Sequence, residues 1–177
     1  QEMAIGPVRI QFKTGEKIEE PELVDTITEF SSKGPRSEDN LLKPEIAAPG
    51  QRVISAAMGE GNGTVQMDGT SMAAPHMSGV MALLKQARRN LSSAQLKALV
   101  MNNAKILTTP QGEVPISLQG AGRVQIAEAL AAPVVLEPAS LSLGGIYLQN
   151  TSSVTKTVRI TNITNGESIS ATMLVTS

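Results

Sequence analysis

Hydrophobic residues in the middle of the chain recur at the three- and four-residue spacing of an amphipathic helix. This spacing predicts a helix over 71–88, whose apolar stripe is Met77, Val80, Met81 and Leu84. Pro75 is expected in the first turn of that helix, where its missing N–H removes no helical hydrogen bond.

Two further helices are predicted after the long one. Ser92 and Gln95 form the sequence signature of a capping box, which opens a helix running to about Ala104. Its apolar face is expected to hold Leu96, Leu99 and Val100. A third, short helix is expected over 124–131.

Short apolar runs before the long helix are expected to be strands. Residues 52–57 form a candidate for a buried strand, and 64–67 a second strand. A glycine-rich turn separates them, with Gly59, Gly61 and Gly63.

Alternation of apolar and polar residues marks both ends of the chain. Residues 1–27 are expected to form two extended pieces. Residues 133–177 are rich in Ser, Thr and Val and alternate over 154–161 and 169–175, which resembles the start of a fibronectin-type or immunoglobulin-like sandwich. Such a sandwich needs about seven strands and about 100 residues. Either the sandwich is truncated, or only a strand or two pack back on the first domain.

Composition excludes several classes of protein. With 41% hydrophobic residues, two Phe, one Tyr and no Trp, the core must be aliphatic. A formal charge of -1 gives no concentrated basic face, so no nucleic-acid partner is expected. The low-charge stretch 126–148 is broken by charges and prolines, so no membrane span is expected. Without cysteine there is no disulfide framework or thiolate metal site.

The clearest chemical signal is the segment Gly69-Thr70-Ser71-Met72-Ala73-Ala74-Pro75-His76. Its serine has small neighbours, which let a substrate backbone approach, and it stands where a strand and turn become a helix. The first turn of a helix supplies unpaired N–H groups and a positive dipole end, both of which favour an oxyanion forming beside Ser71. The alternative is that Ser71 is only a helix N-cap.

This segment resembles the active-site serine segment of the subtilisin family, the subtilases or peptidase family S8. Three other stretches resemble blocks of that family in the same order: 30–35, 43–50 and 120–124. The resemblance covers about 28–132. It implies an α/β fold, here the C-terminal part of a parallel sheet with flanking helices, and a serine endopeptidase with Ser71 as nucleophile.

The chain departs from the family by carrying only part of the catalytic triad. Subtilases place Asp, His and Ser in that order along the chain, and only the Ser is present here. His76, the single histidine, lies five residues after Ser71 on the same helix, so its ring faces elsewhere and a structural role is expected. The oxyanion-hole Asn also belongs upstream. The other residues expected around the nucleophile are Gly69, Thr70 and Asp68 near the substrate and Met72 packed behind it.

Four carboxylates near these segments are candidates for the triad acid: Asp25, Glu29, Glu45 and Asp68. Without a histidine to orient, they are expected to be solvated or capping groups. Calcium is frequent in the family, but no carboxylate cluster here has ligand spacing. No metal or cofactor is therefore expected in this chain, and calcium is allowed elsewhere in the parent protein.

Two other functions compete with this hypothesis. An α/β-hydrolase needs Gly-x-Ser-x-Gly, with its acid and His after the Ser, but Ala73 replaces the second Gly and the only downstream histidine is His76. A catalytically inactive subtilase-like module for surface adhesion or scaffolding is weakened by the intact Ser71. The triad residues upstream in the parent would discriminate between an enzyme and such a module.

The sequence therefore predicts three parts. Residues 1–27 are an extended lead-in resembling the exit of a protease-associated insert, 28–132 the C-terminal part of a subtilase catalytic domain, and 133–177 a β-rich, fibronectin-like extension. The resemblance implies a secreted or cell-surface protein that acts on proteins or peptides. The expected partners of the chain are the upstream part of its own catalytic domain and, for the isolated fragment, a second copy. The fragment alone is expected to be inactive.

Overall fold

The computed structural model describes residues 20–145, 153–164 and 166–170. Its helices are a 3-10 turn at Pro21–Leu23, α1 at Thr70–Ala87, α2 at Ser93–Asn102, α3 at Ile116–Gln119 and α4 at Ile126–Ala131. Its strands are β1 at Val53–Ala56, β2 at Thr64–Met67, β3 at Thr108–Thr109, β4 at Gly112–Glu113, β5 at Val134–Glu137 and β6 at Arg159–Asn162. The three helices predicted from the sequence are confirmed as α1, α2 and α4. None of the helices within these ranges is long and apolar enough to cross a bilayer.

An aliphatic core lies between α1, α2, α4 and β5. Its buried members are Val80, Leu84, Leu96, Ala98, Leu99, Val100, Ala129, Ala132 and Val135. The predicted faces of α1 and α2 are thus confirmed, with Met77 and Met81 half-buried at the edge of the core. Burying one such leucine or valine contributes about 1.5–3 kcal/mol, so the C-terminal half of α1 is firmly anchored.

The start of α1 differs from the prediction. The helix begins at Thr70 after Gly69, so Pro75 is its sixth residue and lies inside the helix. The expectation of Pro75 in the first turn is wrong because only the N–H groups of the first turn lack partners within the helix, and the sixth residue lies beyond that turn. A proline nitrogen cannot donate to the carbonyl four residues back. The Ser71 carbonyl therefore receives no i→i−4 bond from Pro75.

The start of α2 is the predicted capping box. The Gln95 N–H donates to Ser92 Oγ (3.2 Å), and the Ser92 N–H donates to Gln95 Oε1 (3.0 Å). Such a cap stabilises a helix by about 1 kcal/mol. The helix ends at Asn102, slightly before the expected end.

Strands β1 and β2, both predicted from the sequence, pair as an antiparallel hairpin with Val53 opposite Met67. The expectation that β1 is buried is wrong: three of its four residues are exposed, and Ile54 is 67% exposed. The physical reason is that β1 pairs only with β2 within the described ranges, so no second layer covers either face of the hairpin.

Among residues 20–145, 153–164 and 166–170, the parallel sheet implied by the resemblance is represented by one backbone pair, the parallel bridge between Ala47 and Arg123. The named strands form two-stranded antiparallel sheets. Segment 43–50 contains Pro44 and Pro49. Because proline has no N–H, each interrupts the row of donors that a longer ladder would need.

The β-rich extension packs back on the helices. β5 pairs antiparallel with β6, with Leu136 opposite Ile160. Val135 is fully buried against the helical core, and the Leu136 N–H donates to Asn102 Oδ1 (2.9 Å). This matches the alternative in which a strand or two return to the first domain. The part of the predicted extended lead-in before residue 20 and most of the alternating segment 169–175 lie outside the described residues, and the fibronectin-like sandwich stays a prediction.

Candidate active site

Segment 43–50 connects the glycine block at 120–124 with the start of α1. Its backbone bonds to that block are Ala121 N–H to Glu45 O (3.0 Å), Ala47 N–H to Gly122 O (2.8 Å) and Val124 N–H to Ala47 O (2.9 Å). At its other end, the Gly69 N–H donates to Gly50 O (2.8 Å). Three of the four family-like blocks are therefore joined directly by backbone hydrogen bonds.

Close backbone approach explains why glycine occupies two of these positions. A Cβ on Gly34 would lie 1.8 Å from the Lys43 carbonyl oxygen, which brings the fourth block, 30–35, against the same segment. A Cβ on Gly120 would lie 2.4 Å from the Glu45 carbonyl carbon, and Gly120 has φ of 62°. A larger residue would force these chains apart.

Ser71 is the second residue of α1, and its side chain is exposed. Gly69 directly precedes the helix, and its carbonyl oxygen accepts the N–H groups of Met72 (3.0 Å) and Ala73 (3.4 Å). The N–H of Ser71 belongs to the first turn, where no preceding carbonyl lies within the helix. The hydroxyl and an N–H without a partner inside the helix thus stand together at the positive end of the helix dipole.

A cavity of about 570 Å³ lies beside the serine turn. Its walls come mainly from 23–31 and 46–52, and Gly69, Thr70 and Met77 close one side. Ser71 and Asp68 are not among the lining residues. Two residues placed near the substrate by the sequence, Gly69 and Thr70, therefore border this cavity, while Asp68 does not.

The Asp68 side chain bonds to the backbone instead. Its Oδ1 accepts the N–H of Arg52, and the Arg52 guanidinium pairs with Glu20. Arg52 has φ of 54°, in the left-handed region that favours glycine. This contact was not predictable from the sequence, because the two residues are 16 positions apart and arginine is not a usual residue for that backbone conformation.

His76 and Met72, the two residues for which the sequence predicts structural roles near Ser71, differ in their exposure. His76 is exposed on α1, and Met72 is half-buried. A helix advances about 1.5 Å and about 100° per residue, so His76 is about 7.5 Å along the axis from Ser71 and turned well away from it. Because His76 is exposed, the structural role predicted for it stays a prediction for the full-length protein.

Apart from Asp68, the carboxylates considered as the triad acid either pair with lysine and arginine side chains or face solvent. Asp25 contacts Lys105 (2.8 Å) and Arg123 (3.1 Å), while Glu29 is exposed. Within the described ranges no three such side chains gather as metal ligands. The Asp25 carboxylate is already balanced by two cations, so it does not suit calcium.

Glu45 is held by two lysines, Lys43 (3.2 Å) and Lys97. Partial burial acts to raise the pKa of its carboxyl, but the hydrogen bonds and charges of Lys97 and Lys43 outweigh it and leave the pKa lowered. Glu45 is thus an ionised group that ties segment 43–50 to α2.

One buried polar residue was missed by the sequence reasoning. Gln119 is 3% exposed; its Oε1 accepts the Leu107 N–H (2.7 Å), and its Nε2 donates to Val114 O (2.6 Å). These bonds hold the β3–β4 hairpin next to the glycine block. A glutamine directly before Gly120 was the only available signal.

Comparison with known proteins agrees with this geometry. The model of the "Subtilase family" matches residues 17–122. The chain belongs to the subtilase family. The family resemblance inferred from four short blocks is thus confirmed, and the matched range includes Ser71, three of the blocks and the first three residues of the block at 120–124.

Two relatives illustrate the breadth of this subtilase match. The chain is 38% identical over 135 residues to the minor extracellular protease Vpr of Bacillus subtilis (strain 168), covering 72% of this chain and 16% of that protein. It is 41% identical over 102 residues to the subtilisin-like protease SBT3.16 of Arabidopsis thaliana, covering 57% and 13%. The chain therefore spans about a sixth or less of the length of these relatives.

A solved structure supports the subtilisin-like α/β fold. The CspB protease of Clostridium perfringens aligns with a TM-score of 0.50 and 30% identity, over 59% of this chain and 23% of that one. The subtilase assignment therefore rests on both sequence and fold. The protease-associated insert and the fibronectin-like region stay predictions.

Proposed function

We propose that the full-length protein containing this chain is a serine endopeptidase of the subtilisin type with Ser71 as its nucleophile. The observation that carries the proposal is the exposed Ser71 at the start of α1, held where the family-like blocks meet through the Gly69–Gly50 bond. Family membership supports a serine peptidase in the parent.

In this proposal Ser71 Oγ attacks the scissile carbonyl while an upstream histidine, oriented by an upstream aspartate, takes its proton. The Ser71 N–H and an upstream asparagine hold the oxyanion. When the tetrahedral intermediate collapses, the C–N bond breaks and the same histidine returns the proton to the leaving amine. Water then releases the acyl group by the same steps.

The proposed substrates are peptide bonds of proteins or peptides. We also propose that the parent is secreted or exposed at the cell surface, with an insert before residue 28 and a sandwich-like region after residue 132. The name of the Bacillus relative, an extracellular protease, supports the location.

A fluorophosphonate probe on the full-length protein tests the proposal. Labelling and proteolysis should disappear in Ser71→Ala and persist in Ser78→Ala, which changes an exposed serine on the same helix. Labelling of another serine, with activity surviving Ser71→Ala, would overturn the assignment. A folded protein that is never labelled would favour the inactive adhesion or scaffold module.

The isolated 177-residue chain should have no meaningful protease activity. A serine hydroxyl needs an adjacent base near neutral pH, and His76 is the only imidazole in the sequence. In subtilisin, a member of the same family, loss of the triad Ser or His lowers kcat about a millionfold, a value that belongs to that enzyme. Turnover that depends on Ser71 would show that His76 or another base works.

We further propose that the isolated chain associates with itself, because other parts of a complete catalytic domain would cover the surface around the hairpin. Exposed apolar surface and unpaired strand edges favour association. Light scattering should show oligomers, and a monodisperse, folded monomer would refute this proposal.

A further inference from the structure

The Asp68 carboxylate, three residues before Ser71, holds the backbone turn at Arg52 on the other side of the β1–β2 hairpin. Asp68 Oδ1 accepts the N–H of Arg52. With φ of 54°, Arg52 adopts a conformation disfavoured for a residue with a Cβ. Such a conformation persists only where neighbouring contacts enforce it, and the Asp68 bond is such a contact.

The same turn is linked to Gly69, the residue directly before α1. Next to Asp68, the Gly69 N–H donates to Gly50 O (2.8 Å), and a Cβ on Gly50 would lie 2.8 Å from Gly69 O and 3.2 Å from Ala73 Cβ. The turn at 50–52 and the first turn of α1 are therefore in direct contact. A change in the backbone of the turn at 50–52 must therefore shift the first turn of α1.

Gly69 in turn determines where Ser71 lies. Its carbonyl accepts the first N–H groups of α1, from Met72 and Ala73. On the far side of the turn, the Arg52 guanidinium pairs with Glu20, with the two side chains 49% and 27% exposed. An exposed pair of this kind holds the side chain weakly, so the backbone bond to Asp68 is the stronger restraint on Arg52.

We propose that Asp68 is a positioning residue for Ser71. By holding the N–H of Arg52, its carboxylate fixes the turn at 50–52, and through Gly69 it fixes the start of α1 and the direction of the Ser71 hydroxyl and N–H. The proposal rests on the proposed function. Its chemical basis is that attack on a carbonyl depends on placement, and an error of about 1 Å lowers the rate about a hundredfold.

The test uses the full-length protein with paired substitutions. Asp68→Ala removes the acceptor, Asp68→Asn keeps a neutral acceptor of the same shape, and Glu60→Ala removes a different carboxylate from the same hairpin. Asp68→Ala should lower kcat and the rate of fluorophosphonate labelling roughly tenfold or more, with KM within about twofold, because positioning acts on the reaction rather than on binding. Asp68→Asn should retain most of the rate, and Glu60→Ala all of it.

Hydrogen exchange at the amides of Arg52 and Gly69 gives a readout independent of activity. Both amides should exchange faster in Asp68→Ala, stay close to wild type in Asp68→Asn, and be unchanged in Glu60→Ala. If the proteolytic activity of the wild-type protein depends on Ser71 but Asp68→Ala has the same kcat as Glu60→Ala, the positioning role is overturned while the proposed function stands.

Two other results separate the proposals. A change in KM alone in Asp68→Ala would assign Asp68 to substrate binding and overturn positioning. If wild type is never labelled, the proposed function fails, and exchange decides the rest: unchanged Arg52 and Gly69 amides in Asp68→Ala would overturn the restraint itself, while faster exchange would support it.

Discussion

Strand β5 should be part of the same cooperative unit as the helix that carries Ser71, although it follows the predicted domain boundary at residue 132. Val135 has no exposed surface and belongs to the core cluster with Leu84 and Leu99. Val135→Ala removes two methyl groups at about 0.8 kcal/mol each, and the cavity left behind adds to this. The expected loss is about 2–3 kcal/mol in the free energy of unfolding.

Denaturant unfolding and hydrogen exchange of the full-length protein measure this loss. Val154→Ala is a matched control in the same extension, since Val154 is 52% exposed, and it should change stability by less than about 0.5 kcal/mol. If β5 and α2 open together, the amides of α2 should lose protection about 30-fold or more in Val135→Ala. Equal effects of the two substitutions, with α2 protection unchanged, would refute the reasoning and place β5 in an independent extension.

Three other predictions follow from local geometry. Gly34→Ala should cost at least about 3 kcal/mol because its Cβ would lie 1.8 Å from Lys43 O; an unchanged melting temperature by circular dichroism would contradict this. The hydrogen bond from Arg36 lowers the pKa of Asp39 from 3.8 to about 2, so the pair stabilises the folded chain above about pH 4 and this contribution is lost as the pH falls towards 2. Acid titration of Asp39→Asn should lack that component, and a profile identical to wild type would count against it. His76→Gln in the 177-residue chain should change stability by less than about 0.5 kcal/mol because His76 is exposed, and a larger loss would reveal a packed role.

Features set by neighbouring residues were predictable from the sequence. The apolar stripe of α1 and the Ser92–Gln95 capping box depend on contacts within one or two turns, so periodicity and residue type are enough to find them. Strands β1 and β2 were predictable because a glycine-rich turn separates two short apolar runs, while their antiparallel pairing is seen only in the structure. The short elements α3 and β3–β4 contain too few residues to show any period.

Features set by distant parts of the chain were not predictable. Whether β1 is buried depends on which strands and layers cover it, and the alternation of its own residues does not contain that information. The same holds for the Arg52–Asp68 bond and for the cation pairs of Asp25, whose members lie far apart in sequence. Ser71 stands out through local features, small neighbours with a strand before it and a helix after it, and through the resemblance of its segment to the subtilase serine block; its role as nucleophile stays a prediction.

The distribution of apolar surface separates the part of the chain that forms the core from the part that surrounds the proposed nucleophile. Every buried hydrophobic residue of the described chain lies between Val80 and Val135, whereas seven of the fourteen exposed large hydrophobic residues lie within 23–67. The first half of the described chain therefore has no core of its own and surrounds the serine turn with uncovered apolar side chains. α1 joins the two regions, with its C-terminal end in the core and its N-terminal end at Ser71. In the proposed enzyme, a nucleophile anchored from one side only needs a second surface to complete its surroundings, and this is the physical reason for expecting the upstream part of the catalytic domain, or a second copy of the fragment, against residues 23–67.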